Sequence, residues 1–389
     1  MNTRAPNSSQ AQLLSNFVLG RMLKMKQLTA VCAIAVSIAA SGIASAAAGD
    51  GVSVFATGFN SPRGVTFGPD DNLYVAEAGL GGTRSTIGQC TQVPGAPGGP
   101  GPYTGGSTAR ISKVAPNGKR TTVIDGLPSA QGQPLGPLGP PITGVDDIAF
   151  IGNELYALIA GGGCSHGNPN SPAGVYLVDR QHGKAQLVAN LSAFFAAHPA
   201  AHPDPEDFEP DGTLFSLVAV HRKLYAIEPN QGRLLEIDPE NGDIRQLLDL
   251  SALPWVGPTA MAYDGVFHVG TLSPLPTVPG AANIFDITKR GKIIDTDTGF
   301  TTITGLAVSP QHGLYVLEMA TNPGLYAPQT GKLVLAKDDG DIQEILTGLT
   351  FPVGNMAFGS DGALYLSNFS TFSPGQGQIL RVEVSSHED

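Results

Sequence analysis

A five-residue phrase returns six times along this chain and constrains its fold more than any other feature. It reads Leu73-Tyr74-Val75-Ala76-Glu77, Leu155-Tyr156-Ala157-Leu158-Ile159 and Leu224-Tyr225-Ala226-Ile227-Glu228 in the first half. It continues as Val266-Phe267-His268-Val269-Gly270, Leu314-Tyr315-Val316-Leu317-Glu318 and Leu364-Tyr365-Leu366-Ser367-Asn368. Repeats of this size are units that cannot bury their apolar faces alone and must stack on one another. Around each phrase lie short alternating runs bounded by clusters of Pro, Asn, Asp and Gly, the signal of antiparallel hairpins. In the first repeat these runs are 64–67, 73–76, 109–114 and 121–124, with turns at Pro69-Asp70-Asp71-Asn72 and Pro116-Asn117-Gly118. The expected class is all-β: a six-bladed β-propeller with four strands per blade. A helical period is missing except for residues 191–198, which predict one short helix.

The last repeat lacks a fourth strand, because its third, 378–382, runs almost to the end of the chain. A spare strand, 52–59, stands at the other end and resembles the fourth strands 123–127 and 345–349. The N-terminal strand is therefore expected to complete the last blade and close the ring, which leaves no unprotected sheet edge. Residues 201–217 are the weakest join in this count.

Residues 1–48 are set apart from the domain at 49–389. A basic flank (Arg21, Lys24, Lys26), an apolar run at 28–40 and Ala44-Ser45-Ala46 have the order of a secretory signal peptide. The run is too short to span a bilayer. Export to the periplasm or the medium is expected, with no membrane span and with translation starting at Met22 or Met25. Cys32 lies inside the apolar run after Val31, a context that argues against a lipid anchor.

The chain has 22 basic and 33 acidic residues; removing Arg4, Arg21, Lys24 and Lys26 leaves 18 bases and a balance of −15. That excludes nucleic acid and anionic membrane surfaces as natural partners and favours a bound cation, the plain alternative being an acidic surface that confers solubility. Two cysteines remain, Cys90 and Cys164. In an oxidising compartment they are expected to pair; the alternative is two free thiols.

Long Gly- and Pro-rich loops at 79–107, 160–173, 272–282 and 321–331 all fall between the second and third strands. They should emerge on one face, where loops on a rigid scaffold carry function; the alternative is plain tolerance of insertions at exposed turns. The second strand also ends on the face where the inner strand begins, so two rings of residues surround one mouth of the channel. The first ring is Glu77, Ile159, Glu228, Gly270, Glu318 and Asn368. The second is Arg63, Asp146, Asp147, Thr259, Thr304 and Asn355, with Asp211 nearby. Converging oxygens suit a hard cation such as Ca2+, and Glu77, Glu228, Glu318 and Asn368 are its candidate ligands; a solvated acidic mouth is the alternative. Arg63, Asp146, Asp147, Asn355 and Trp255 are candidate ligand-binding residues. Trp255 either stacks on a ligand there or packs under a loop.

Gly163-Cys164-Ser165-His166-Gly167 matches G-x-S-x-G by letters, but that motif needs a strand-to-helix turn. A Gly-rich loop without a following helix makes it a chance match. His198 and His202 with Asp204 and Glu206 offer a weaker metal set, and His268 reads as a satisfied sheet histidine.

The opening Val54-Phe55-Ala56-Thr57-Gly58-Phe59-Asn60-Ser61-Pro62-Arg63-Gly64 resembles the ScyD/ScyE family of exported six-bladed propellers. So do Leu73 through Gly79, the Gly-rich loop through Cys90 and Ser107-Thr108-Ala109-Arg110-Ile111. The resemblance covers the whole mature chain, and NHL-repeat, SMP-30-like, strictosidine-synthase-like and gluconolactonase-like propellers share the blade phrase. Blade three departs from the pattern at Glu228-Pro229-Asn230-Gln231-Gly232. The resemblance implies a propeller and no settled reaction. Two functions follow as expectations. The first is a monomeric binding module that holds a small molecule, glycan or protein on its loop-rich face. The second is a metal-assisted lactonase or hydrolase, with Asp146, Asp147 or Glu228 as base. No signature supports a quinone-dependent sugar dehydrogenase.

Overall fold

In a computed structural model the repeats form six antiparallel sheets arranged as the blades of a propeller. The structure describes residues 51–95, 99–203, 205, 208–253, 257–273, 275–337, 340–371 and 374–384. Residues 1–50, where a signal peptide is expected, and Trp255 lie outside these residues.

The inner strands of blades one to six are Pro62–Phe67, Val145–Ile151, Ser216–Val220, Gly257–Tyr263, Ile303–Val308 and Ala357–Phe358. Each is followed by the strand carrying the repeated phrase and then by a third strand, and in blades one to five by a fourth. The N-terminal strand Val52–Phe59 is the fourth strand of blade six. It pairs antiparallel with Gly377–Val382, Val52 opposite Val382 and Phe59 opposite Gly377. The ring therefore closes with one blade built from both ends of the domain, as the sequence leads one to expect. The uncertain join resolves at Ser216, and the short helix is Leu191–Ala197, capped by Asn190 Oδ1 on the Ala193 amide at 2.9 Å.

Two details differ from the expectation. Blade one carries a fifth strand, Ile142–Thr143, against the end of Arg120–Gln131, and its third strand begins already at Thr104. In blade four the phrase sits one residue later than the letters suggest. Phe267, not Val266, packs toward blade three in the place of the leucine, so His268 stands where the tyrosine does and Thr271 closes the phrase. A strand's faces alternate with every residue, so a one-residue slip exchanges them, and packing rather than lettering fixes the phase.

Burial explains the phrase. In Leu73–Glu77, Leu314–Glu318 and Leu364–Asn368 every residue is buried, because a middle strand has another blade against each of its faces. Fourth strands face solvent on one side, and Ile293–Phe300 is almost wholly exposed. The core is accordingly six interblade clusters, one in each seam. Tyr74, Ala76 and Ile111 of blade one meet Val145, Ile148, Leu155 and Ala157 of blade two in one of them.

Candidate functional site

The first ring does not converge on a common point. Glu77 Oε2 accepts the Asn60 amide at 2.8 Å, and Glu228 Oε1 accepts Thr213 at 3.4 Å. Glu318 takes the amide of Thr301, and Asn368 Oδ1 that of Thr350 at 2.8 Å. Each side chain ties its second strand to the segment leading into an inner strand. Each also faces the start of its own third strand: Glu77 lies opposite Arg110, Glu228 opposite Arg233, Glu318 opposite Lys332 and Asn368 opposite Gln378. Acids thus face bases and the amide faces an amide. Glu77 is bound by Arg110 at 3.0 Å, Arg120 at 2.7 Å and Ser112 at 2.6 Å, and Glu318 by Lys332 at 3.3 Å. These groups do not fit a calcium ion, because their oxygens are engaged within separate blades. Among the described residues no group of three or more His, Cys, Asp or Glu side chains could hold a metal.

Blade three is the exception in its pairing. Glu228 Oε2 accepts the Gln231 amide at 2.7 Å, and burial pushes its carboxyl up to about 8. Arg233 is fully buried, its guanidinium lies 5.5 Å from the centroid of Phe195, and no guanidinium nitrogen has a hydrogen-bond partner among the described residues. Burial likewise raises Glu318, with Lys332 opposing.

Four residues of the second ring, Arg63, Asp146, Asp147 and Asn355, assemble as a buried polar plug, whereas Thr259 donates to the Ile303 carbonyl and Thr304 to the Pro352 carbonyl. Arg63 Nε binds Asp146 Oδ1 at 2.9 Å, while its Nη1 reaches the Ser370 carbonyl at 3.1 Å and its Nη2 the Ile142 carbonyl. Thr143 Oγ1 donates to the other Asp146 oxygen at 2.6 Å. Asp147 Oδ2 accepts the Leu217 amide at 2.7 Å and Asn355 Nδ2 at 2.9 Å, and the same nitrogen donates to Ser216 Oγ at 2.6 Å. Blades two and six are not neighbours in the ring, so the Asp147–Asn355 bond passes blade one on the axial side. Gly64 of blade one makes room for it: a Cβ there would lie 1.9 Å from Asp147 Oδ1. Burial raises Asp147 to about 7 and raises Asp146 despite Arg63. Asp147 is only 1% exposed and Asn355 8%, so both are shielded from bulk solvent.

Sequence reading missed Ser216, Ser370 and Gly64 as members of this plug. Only Gly64 carried a signal, because a glycine inside a strand pattern marks a close approach.

The loop face is stapled in two places. Cys90 and Cys164 form a disulfide between the loops of blades one and two (Cα–Cα 6.3 Å). The loops of blades four and five are joined by reciprocal Thr277–Gly324 backbone bonds of 2.7 and 3.0 Å. Beneath the disulfide, Ser165 Oγ donates to Asp211 at 2.6 Å. The His166 ring nitrogens lie 2.9 Å from the Gly162 carbonyl and 3.2 Å from Glu209. Burial opposes charge on this ring, but Glu209 prevails and raises its pKa. Serine and histidine thus have different partners, and the G-x-S-x-G letters build a loop. His268 is held between Asp286 at 2.6 Å and Asp264 at 3.1 Å, a satisfied sheet histidine. His198 stacks on Phe194 at 4.5 Å; Asp204 and Glu206 lie outside the described residues. Among the described residues no helix is long and apolar enough to cross a membrane.

No family model matches the chain, and no curated protein does. Solved structures do. A gluconolactonase from Xanthomonas campestris aligns with a TM-score of 0.51 at 9% identity over 85% of this chain and 89% of that one. An auxiliary nutrient binding protein from Bacteroides thetaiotaomicron gives 0.51 at 8% over 85% and 76%. The soluble aldose sugar dehydrogenase from Escherichia coli gives 0.50 at 13% over 85% and 99%. At such identities the likeness is one of fold.

Proposed function

We propose that this chain is an exported propeller of the ScyD/ScyE type that works as a binding module, holding a small molecule, glycan or protein on its loop-rich face. One observation carries the reading. Of nine exposed large apolar side chains among the described residues, Leu80, Ile87, Leu253, Leu275, Val278 and Leu325 stand in segments at that face. The others, Val54, Leu187 and Ile294, lie on outer strands. Apolar side chains gathered on one face of an acidic protein mark an interaction surface. The loops joining second to third strands also contain no Asp or Glu, whereas the turns of the opposite face carry Asp70, Asp71, Asp238, Glu240, Asp243 and Asp361. The disulfide and the Thr277–Gly324 bonds hold these loops in place before a ligand arrives, which lowers the ordering cost of binding.

A hydrolase acting on lactones or esters is the second reading. Its support is the pair of carboxyls that burial lifts toward neutrality, Asp147 to about 7 and Glu228 to about 8, the range a general acid or base uses. It ranks second because both are sealed, at 1% and 0% exposure.

The test is a melting-shift screen of the mature protein against glycans and small apolar ligands, alongside hydrolysis assays on lactones. Wild type is compared with Leu275→Asp/Leu325→Asp. A ligand whose shift disappears in the variant supports the binding module. Lactone turnover that persists in that variant and is lost in Asp147→Asn would install the hydrolase instead.

A further inference from the structure

The seams between blades repeat a second constellation, on the rim opposite the loop face. In the seam between blades one and two, Tyr74 meets Phe150 edge-on at 5.0 Å. The Tyr74 hydroxyl donates to Asp70 at 3.1 Å, and Lys113 lies 3.6 Å from the same carboxylate. Arg180 completes the group. Its guanidinium lies 5.3 Å from the Phe150 centroid and 5.9 Å from that of Tyr74. It donates to the Tyr74 oxygen at 3.0 Å and to the Asn153 carbonyl at 2.8 Å. The seam between blades three and four uses the same device: Lys289, at the position of Arg180, has its ammonium 5.1 Å from the centroid of Tyr263.

The seam between blades six and one contains the same parts. Tyr365 meets Phe67 edge-on at 5.1 Å and donates to Asp361 at 3.0 Å, and Arg381 binds that carboxylate at 2.8 Å. Strand register matches Tyr365 with Tyr74, Arg381 with Lys113 and Phe67 with Phe150; Asp361 and Asp70 each stand four residues before their tyrosine, and Asp71, two residues before Leu73, takes the turn position that Asn153 takes before Leu155. Two positions reshape the space between the rings. Phe55, in the fourth strand of blade six, stands where the fourth strand of blade one has Val123, and the position of Arg180 changes as well. Val178, opposite Leu155, lies two residues before Arg180, and Val114, opposite Leu73, lies two residues before Pro116. Blade one therefore has Pro116 where blade two has Arg180. A cavity of about 230 Å3 opens there, lined by Phe55, Phe67, Asp71, Pro116, Tyr365 and Arg381 among others.

We propose that the seam between blades six and one binds a small organic cation, an ammonium or guanidinium group, in the place that Arg180 fills one seam further on. The chemistry is that of a cation on aromatic faces. Phe67, Tyr365 and Phe55 supply the rings; Asp71 supplies a carboxylate whose side chain accepts from the Ser360 hydroxyl at 3.0 Å. Arg381 is paired with Asp361 and Glu383 and also bonds the Tyr365 hydroxyl, so the cation meets the ring faces and Asp71 rather than that hydroxyl. The cavity lies on the face opposite the loops, so the proposal is independent of the binding role assigned to them.

Two sources can supply the group, a free amine or a basic side chain of a partner. Calorimetric titration of the mature protein with agmatine, tetramethylammonium and an unstructured Gly-Arg-Gly peptide, each against sodium chloride of equal ionic strength, tests both. Saturable binding of at least one is expected; a free amine is indicated if agmatine binds more tightly than the peptide, a partner's side chain if the reverse. Pro116→Arg should fill the slot from within, raising the melting temperature and abolishing binding. Asp71→Asn should weaken it by about tenfold or more, equivalent to loss of one charge-assisted contact. Asp71 has φ 56°, a conformation asparagine tolerates, so this variant reads binding even if Pro116→Arg does not fold. No saturable binding by wild type, or equal binding by Asp71→Asn, overturns the proposal.

Discussion

A buried carboxylate in this protein is defined by what stands opposite it. Glu77 is fully buried and answers two arginines, a serine and a backbone amide. Glu77→Ala should destabilise the fold by about 3 kcal/mol, since the partners of a buried ion pair are left uncompensated; urea unfolding measures it. Chelation should leave the wild-type melting temperature unchanged, because the same oxygens are unavailable to a metal. Asp147 provides the pH signature. Burial lifts it to about 7 in the folded state, above its unfolded value near ~3.9. A carboxyl raised on folding contributes stability that is full below the unfolded value and is lost as pH climbs through the folded one. Wild type should therefore lose melting temperature between pH 4 and 8 more steeply than Asp147→Asn. Parallel profiles would mean that Asp147 is not protonated in the folded protein.

Among elements, the second strand carries both the sequence signature and the packing. Its two faces belong to different seams, so it reads as a continuous apolar run closed by a polar residue. The closing residue is legible as a ring of acids, yet its role is not. Glu77 and Arg110 are 33 residues apart, and only the hairpin register sets them side by side. The slip in blade four has the same origin: Val266 and Phe267 fit the phrase equally by letter, and the seam with blade three decides between them. The disulfide is an element-scale staple across a separation of 74 residues. Cys90→Ser/Cys164→Ser should lower stability by up to about 4 kcal/mol in the loop-entropy account. Thermal melts of the variant and of reduced wild type should agree.

For the molecule as a whole, ring closure is the organising fact. The N-terminal strand finishes blade six, and the plug at Arg63, Asp146, Asp147 and Asn355 joins blades one, two, three and six near the axis. Gly64 is where this closure is most sensitive. Gly64→Ala places a methyl group against Asp147 and should cost about 1–3 kcal/mol, the range for overpacking a tight interior. The loss should be largest in assays that report ring closure, such as amide exchange of the 52–59 strand. An alanine tolerated without loss would show that Asp147 can move and that the plug is not rigid.

The sequence by itself determined the blade count, the closing strand and the face on which the long loops gather. All of these follow from local pattern: strand alternation, turn residues and a phrase that returns once in each blade. It also brought Cys90 and Cys164 together, since matched loops of adjacent blades emerge side by side. Tertiary structure alone decided what the polar residues do. Asp147 and Asn355 are 208 positions apart, and no periodicity relates them. The vacant seam between blades six and one is likewise visible only when register aligns Pro116 with Arg180. Local chemistry writes the repeat, but a ring brings together residues that are distant in the chain, and their charges are settled there.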